Sequence, residues 1–590
     1  MVDGTEFTVA SHEQDAQVVV AEGRVRTGNA AGEKILGPGD AIEARADSAP
    51  GSITVRPLDA VAWAIHYPQV ARIGSRELSH HPEALRQKLE TAQREADRGH
   101  FLAALDALGQ TPTTDPTVAA LKAGILLGLG RVDEATALLS SHSQQSHPSL
   151  AATSAIVHVA RNENAQAEAA ARQAVALDET SVAAQLALSY VLQATRHLPE
   201  ARAVAEHATL LAPNDPVAWA RRAELELNLG NATAGGEAAR RVLSLDPDTQ
   251  RARALAAFAR LLRSETDAAR GEFLAALETD DSDPLTHFGL GLALMRLGDT
   301  EGGRREVEIA ALLDPSNAEL RSYLGRAYLE EARNKVAGAQ FDLARRLDPA
   351  SPTPWYFDAF LKLLEREPLA AIRNGEEALA RNDNRSIMRS SELLDQDRAA
   401  RTASLGAAYQ QVGFAAAAQA TAINALDDDV QSTSAHRLLA DAYAETPRFE
   451  TARLGELLQA QLRQPIGQWP LPPQFVMPPL PTLDGPRAAS PEEATSFFDR
   501  KPDRFAATLA TGTRETQSGS LVASHSWERG QISVGAFDYR GRGLDERMAD
   551  THLSGGRVNA QFALTSDTMV LGEIRHSERN GGDLDRSLFD

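Results

Sequence analysis

A chain of 590 residues is too long to wrap one hydrophobic core, so it divides into several domains or forms one elongated stack of repeats. Its 60 basic against 81 acidic residues leave a net charge of −21, which argues against a nucleic-acid phosphate backbone as partner. Zero cysteines exclude disulfides, thiol catalysis and cysteine-ligated metals, and no run of 18 apolar residues offers a transmembrane helix.

The first 25 residues lack the basic-then-apolar pattern of a secretory signal. Short β-rich runs at Thr5–Val9, Ala16–Ala21, Arg24–Thr27 and Ala41–Arg45 are separated by Gly23, by Gly28 to Gly32, and by Gly37-Pro38-Gly39-Asp40. They predict a small all-β domain over 1–56. Gly28, Gly32 and Lys34 miss the Walker spacing, so a hairpin turn outweighs nucleotide binding there. The runs Gly4-Thr5-Glu6-Phe7-Thr8-Val9, Val18 to Val25 with its Glu22-Gly23 turn, and Leu36-Gly37-Pro38-Gly39-Asp40-Ala41 resemble the carboxy-terminal part of a FecR-type domain. That resemblance implies a periplasmic β-domain, partial here because its beginning would precede Gly4. Either the gene start is set too late or the chain is a fragment, and the missing signal pattern has the same explanation.

Residues 57–82 form a junction between this domain and the helical region. Pro57 and Pro68 bound a short aromatic segment holding Trp63 and Tyr67, expected to pack as a helical plug. His66, His80 and His81 cluster, but their spacing supplies no third metal ligand, and a surface or junction role outweighs a metal site.

Helical spacing begins after Pro82. Leu85, Leu89, Ala92 and Ala96 share one face, and Gly99-His100-Phe101 turns the chain into a second helix. Between Thr180 and Ala350 the turns Leu211-Ala212-Pro213, Leu245-Asp246-Pro247, Leu313-Asp314-Pro315 and Leu347-Asp348-Pro349 recur every 34 residues or, across a degenerate copy at Asp281, at twice that interval. Such a period marks a stacked helical array, because one unit cannot bury its apolar face alone. In residues 318–351, Leu324, Gly325, Tyr328, Ala337, Phe341, Ala344 and Pro349 resemble the tetratricopeptide repeat (TPR). Gly291, Ala257, Ala223, Ser189 and Ala155 recur in place of Gly325, where two helices would cross closely. Period and resemblance together predict a TPR-type α-solenoid over 83–465, with an insertion at Ser140 to Ser149 putting the earliest units out of phase.

Two units depart from the motif. Arg222 and Glu226 stand where Leu324 and Tyr328 would, and Arg260 replaces Tyr328 one unit later, which predicts either a mutually paired trio or rotated helices. Leu186, Tyr190, Phe258, Leu261, Phe288, Leu292 and Met295 fall at equivalent positions of the first helices. In TPR arrays such positions line the concave groove, so the resemblance implies a protein-binding groove here; packing within a tightly wound superhelix is the competing expectation. The polar stretch Asn382 to Arg385, with Arg389, reads as helix-capping loop rather than site.

Helical pattern stops at Pro465. Residues 466–500, with Pro470, Pro472, Pro473, Pro478, Pro479, Pro481, Pro486 and Pro491, predict an extended Pro-rich linker. Phe505–Ala510, Leu521–Trp527, Ile532–Tyr539, Val558–Leu564 and Met569–His576 alternate in part and read as strands, so 501–590 is an antiparallel β segment. With Pro352-Thr353-Pro354-Trp355, Ser434-Ala435-His436-Arg437, Pro447-Arg448-Phe449 and Gly581-Gly582-Asp583-Leu584 in order, the chain resembles Gram-negative proteins that join a FecR-type domain, a TPR array and an outer-membrane barrel of the TonB-dependent-receptor kind. Five strands fall short of the about eight a closed barrel needs, so the barrel is expected to be incomplete and the chain to extend further; a soluble sandwich is the alternative.

The chain is therefore expected to be mainly α, a solenoid with a small β-domain before it and β structure after it. It carries no His-Glu-x-x-His, Gly-x-Ser-x-Gly or dinucleotide fingerprint, and no cofactor or metal is expected. The resemblance implies a non-enzymatic scaffold that holds a periplasmic or envelope protein and no nucleic acid, tethered to the outer membrane through its C-terminal region if the chain is extended by the strands that close the barrel. Two alternatives stay open: a component of polysaccharide or protein export, and an envelope-polymer hydrolase using Asp280, Asp281 and Asp283, where helix capping explains the carboxylates better.

Overall fold

The computed structural model describes residues 72–462 apart from short stretches between elements, of which 382–391 is the longest, and the strands within 6–53 and 503–580. The aromatic run before Pro68 and its His66, the Asn382–Arg389 stretch, the Pro-rich linker and Asp280 lie outside the described residues.

At the N-terminus, β1 (Glu6–Ser11), β2 (Asp15–Glu22), β5 (Ala41–Arg45) and β6 (Gly51–Ile53) make one antiparallel sheet in that order, while β3 (Val25–Asn29) and β4 (Gly32–Leu36) form a separate hairpin. Sequence patterning misses β4 and β6, because glycines at their starts read as turn. Gly28 pairs with Glu33, and the Gly32 amide donates to Oδ1 of Asn29 at 3.1 Å, so the glycines serve a hairpin, as expected.

After a single turn, α1 (Ser75–Leu78), the array runs as antiparallel pairs: α2 (Glu83–Asp97) with α3 (Phe101–Leu108), α4 (Pro116–Gly128) with α5 (Val132–Ser140), α6 (Pro148–Ala160) with α7 (Asn164–Leu177). It continues through α8 (Val182–Ala194) with α9 (Leu198–Leu211), α10 (Pro216–Asn228) with α11 (Ala232–Leu245), α12 (Gln250–Leu262) with α13 (Thr266–Leu277), and α14 (Pro284–Arg296) with α15 (Thr300–Leu313). Then come α16 (Ala318–Glu330) with α17 (Asn334–Leu347), α18 (Thr353–Leu364) with α19 (Pro368–Ala380), α20 (Glu392–Gln411) with α21 (Ala415–Asp428), and α22 (Thr433–Tyr443) with α23 (Glu450–Leu462). No strand interrupts the described residues between Ser181 and Pro349, as the 34-residue period requires.

The period is written in caps and crossings. Ser181, Asp215, Asp283 and Asn317, one per unit, accept hydrogen bonds from amides of the helix each one begins, satisfying donors that no helical carbonyl reaches. A Cβ on Gly291 would meet Val307 Cγ2 at 2.7 Å and the Gly303 carbonyl at 2.8 Å, so α14 and α15 cross where only glycine fits. Gly298 ends α14 in the left-handed region at φ +94°.

The two helices of a unit differ in what they bury. Second helices hide one stripe, such as Val307, Ala310 and Ala311 of α15, whereas α14 is buried on nearly every face from Pro284 to Arg296. The cause is neighbours: each first helix touches its own partner and also the first helices of adjoining units, as in α4 with α6, α10 with α12 and α16 with α18. None of the described helices is long and apolar enough to cross a membrane.

The C-terminal region is a five-stranded antiparallel meander in chain order, β7 (Asp503–Thr511), β8 (Gln517–Trp527), β9 (Gly530–Gly541), β10 (Thr551–Ala563) and β11 (Met569–Asn580). All five expected strands are present, and each is longer than its apolar run suggests.

Candidate protein-binding site

The seven residues placed in a groove are brought together, yet they form no open surface. Leu186, Leu261, Phe288, Leu292, Met295, Phe258 and Tyr190 are all buried, with Tyr190 the most exposed at 7 %. Their cover comes from the partner helix of the same unit and from neighbouring units. The Phe258 ring meets Phe273 edge-on at 4.9 Å and sits where a Cβ on Gly289 would stand, 2.8 Å from Phe258 Cζ. Phe288 meets Tyr323 at 5.2 Å, and Tyr323 meets Phe357 at 5.4 Å, so a chain of rings links successive first helices. The expectation of an apolar groove at these positions is therefore corrected: they are inter-unit core.

Tyr190 is covered by a cation. The Arg221 guanidinium lies 3.6 Å from its ring centre, donating through Nε to Ser189 Oγ at 2.9 Å and through Nη2 to the Ser189 carbonyl at 3.0 Å. Arg221 also reaches Glu224 at 3.0 Å, and Glu224 accepts from Arg251 Nε at 2.5 Å. Burial pushes the Tyr190 hydroxyl up to about 12. Burial works the same way on Glu224, but Arg251 and Arg221 outweigh it and hold that carboxyl below the usual range. Arg251 is the most accessible member of this cluster. Sequence reasoning misses the network; the signal available is Arg221 standing beside Arg222 where other units carry apolar or small residues.

The Arg222, Glu226 and Arg260 trio does not form as expected. Glu226, 1 % exposed, accepts from Arg202 of α9 at 3.2 Å and from Asn231 Nδ2 at 2.8 Å, with Arg222 Nε at 3.9 Å. Arg260 instead faces Glu265 at 3.5 Å and Glu272 at 3.4 Å of its own unit.

A second repeated device ties each first helix to the turn before it. Gln185 Nε2 donates to the Glu179 carbonyl at 2.8 Å and Trp219 Nε1 to the Pro213 carbonyl at 2.9 Å, while His287 Nε2 lies 2.8 Å from the Asp281 carbonyl and His436 Nε2 3.0 Å from that of Val430. Each spans six residues. Asp281 thus contributes a carbonyl, and Asp283 accepts from the Leu285 and Thr286 amides as a helix cap, which is structural work rather than acid–base catalysis. His81 Nδ1 lies 3.6 Å from Asp115, and no group of three or more potential ligands capable of holding a metal occurs among the described residues.

The C-terminal sheet has inverted polarity. Register aligns Ala523, Val534, Val558 and Ile574 across four strands, and Leu509, Ile532, Phe562 and Val570 share their face. This apolar face is the exposed one, Leu509 at 88 % and Ile574 at 77 %. On the opposite face Gln531, Ser533, Arg557, Asn559 and Gln561 are buried, and Arg557 lies 3.7 Å from Glu573. Among the described residues no second sheet of this region stacks upon it.

Comparison with known proteins bears on the array. The tetratricopeptide repeat family matches residues 288–352. Among solved structures, the APC/C hetero-tetramer Cut9-Hcn1 is similar at 13% identity and TM-score 0.42, covering 67% of this chain and 90% of that one. Human IFIT1 in its dimer with m7Gppp-AAAA is similar at 13% identity and TM-score 0.40, covering 67% and 96%, and a tetratricopeptide repeat protein from Parabacteroides merdae at 15% and 0.33, covering 42% and 96%. No curated protein matches the chain. The chain is a mainly helical, TPR-like solenoid with β structure at each end.

Proposed function

We propose that this protein is a non-enzymatic scaffold of the Gram-negative envelope, whose solenoid holds a periplasmic protein partner and whose C-terminal sheet tethers it to the outer membrane. TPR-type repeats suit protein binding, and the buried carboxylates and arginines found here are engaged in caps, ties and ion pairs that hold the array. The observation that carries the membrane part is the sheet's inverted polarity. Strands of 9 to 13 residues that alternate apolar-out and polar-in match the pattern of a membrane barrel wall, where hydrocarbon meets one face and water the other. A water-soluble sandwich would bury Val534, Val558 and Ile574 against a second sheet.

With the seven first-helix residues buried, the partner would meet the polar surface that includes Arg251. Fractionation of the producing cells, with detection of the native protein, tests the reading. Recovery with the outer membrane, together with cross-linking of array surface positions to a periplasmic protein, is the expected result. Recovery in the cytoplasm would refute it.

A further inference from the structure

Arg72 begins a segment that doubles back over the array. Its Nε and Nη2 grip the two oxygens of Asp215 at 3.0 and 3.1 Å, and its Nη1 reaches Asp97 at the end of α2. The Ile73 amide donates to Gln93 of α2 at 2.9 Å. Four residues further on, Glu77 accepts from Thr117 Oγ1 at 2.5 Å and lies 3.4 Å from His147, and His81 lies 3.6 Å from Asp115.

These partners share a place in the fold. Asp115 caps α4, Thr117 lies in its first turn, His147 precedes α6, and Asp215 caps α10, so residues 72–81 run across the N-terminal ends of first helices from three units. Alongside, α2 faces the turn between α11 and α12 across a cavity of about 540 Å³ lined by Glu90, Arg94, Asp97, Leu245 and Asp246. Before Arg72 in the chain, β1 lies against α15. Arg72 is 9 % exposed and Ile73 8 %, although both sit at the margin of the helical array.

We propose that residues 72–81 are a strap, latched by Arg72 on Asp215, which folds the N-terminal region back onto the array and occupies the edge formed by the starts of α4, α6 and α10. The latch is a bidentate ion pair joining residues 143 apart in sequence, seconded by Asp97, and it fixes the start of the strap to the middle of the solenoid. A partner that needs that edge has to displace the strap.

Trypsin reads the latch directly, since the bond after Arg72 is cut only when the strap opens and, with fast reclosing, at a rate that follows the open population. Asp215→Asn is the informative variant. Asparagine caps helices as well as aspartate does, so α10 keeps its start while the charge facing Arg72 is lost. Cleavage of the full chain after Arg72 should rise about tenfold in Asp215→Asn, equivalent to about 1.4 kcal/mol of latch free energy, with unchanged helix content by circular dichroism. A rise below about threefold, or wild-type cleavage after Arg72 as fast as in urea-unfolded chain, would overturn the strap. Should Asp215→Asn lose helix content, Glu77→Gln is read by the same criterion, because it removes a strap contact without touching a cap.

Discussion

His287 joins Glu306 across the α14–α15 pair, its Nδ1 lying 2.7 Å from the carboxylate, while its Nε2 faces the Asp281 carbonyl at 2.8 Å. Both ring nitrogens meet acceptors, so the full set of bonds exists only for the imidazolium. Burial opposes the charged ring, but Glu306, the Asp281 carbonyl and nearby Asp283 outweigh it and raise its pKa above the ordinary value. The folded state therefore binds the proton more tightly. The stabilisation is complete below the unfolded value of about 6.5 and is lost as pH rises through the folded value. Gln185, three units earlier, makes the same tie through an uncharged amide, so His287→Gln keeps the tie and removes the charge. In urea melts the wild type should exceed His287→Gln by about 1.5 kcal/mol at pH 5, an advantage that shrinks as pH rises through the folded value. Asp97, which burial pushes up to about 6, titrates in both proteins and cancels in the difference. Parallel pH curves would remove the charge from the account.

Glu226 gives a test of register. Being 1 % exposed and held by Arg202 and Asn231, it should cost about 3 kcal/mol when replaced by alanine, which strands the donors around it. Arg260→Ala should cost less than about 1 kcal/mol, since its pairs with Glu265 and Glu272 are part-exposed. A double-mutant cycle should find coupling between Glu226 and Arg202 and none between Glu226 and Arg260. Coupling to Arg260 would restore the cross-unit trio.

The repeat pattern assigns Phe288 to a binding groove, and its burial reverses the meaning of its mutation. Phe288→Ala removes a ring packed on Tyr323 from a close-packed interior, and should cost about 3–5 kcal/mol in urea unfolding. Phe288→Asp should lose helicity outright. A Phe288→Asp protein of native helix content would contradict the buried position.

The limits of the sequence are physical at each of these places. The 34-residue period is legible because units reuse a cap such as Asp283, a small crossing residue such as Gly291 and a turn between helices, all local requirements. Which face of Phe258 or Phe288 is covered depends on side chains of the next unit, and the period supplies positions without saying how closely the units wind. Arg72 and Asp215 are farther beyond reach, because nothing in either residue's neighbourhood signals a partner 143 positions away. The strands of the C-terminal sheet are legible from alternation, but the exposure of their apolar side follows only from register across all five.

Ala332 and Arg366 mark a place where the repeat has drifted from its best residue. They adopt φ of 57° and 62°, and Ala332 stands one repeat after Gly298, at the point where a first helix ends. A side chain in the left-handed region costs about 1 kcal/mol that glycine avoids. Ala332→Gly should therefore raise stability by about 0.5–1 kcal/mol even though it adds chain entropy to the unfolded state, and Arg366→Gly should act in the same direction. Loss of stability in Ala332→Gly would mean the helix end is set by something other than this turn.

The two faces of the C-terminal sheet make opposite demands, and substitutions on adjacent residues separate them. Val534 lies on the exposed apolar face between Ala523 and Val558, whereas Ser533 beside it is buried on the polar face. If the apolar face meets hydrocarbon, Val534→Asp and Val558→Asp should abolish co-flotation with vesicles of phosphatidylethanolamine and phosphatidylglycerol, since a carboxylate in that layer costs several kcal/mol. Ser533→Ala should leave flotation intact, because it changes only the face turned away from lipid. If the apolar face were instead a surface for another protein, the wild type would stay with the aqueous phase in the absence of that protein. A wild type that fails to float would thus remove the membrane tether while leaving the solenoid, its caps and its ties untouched.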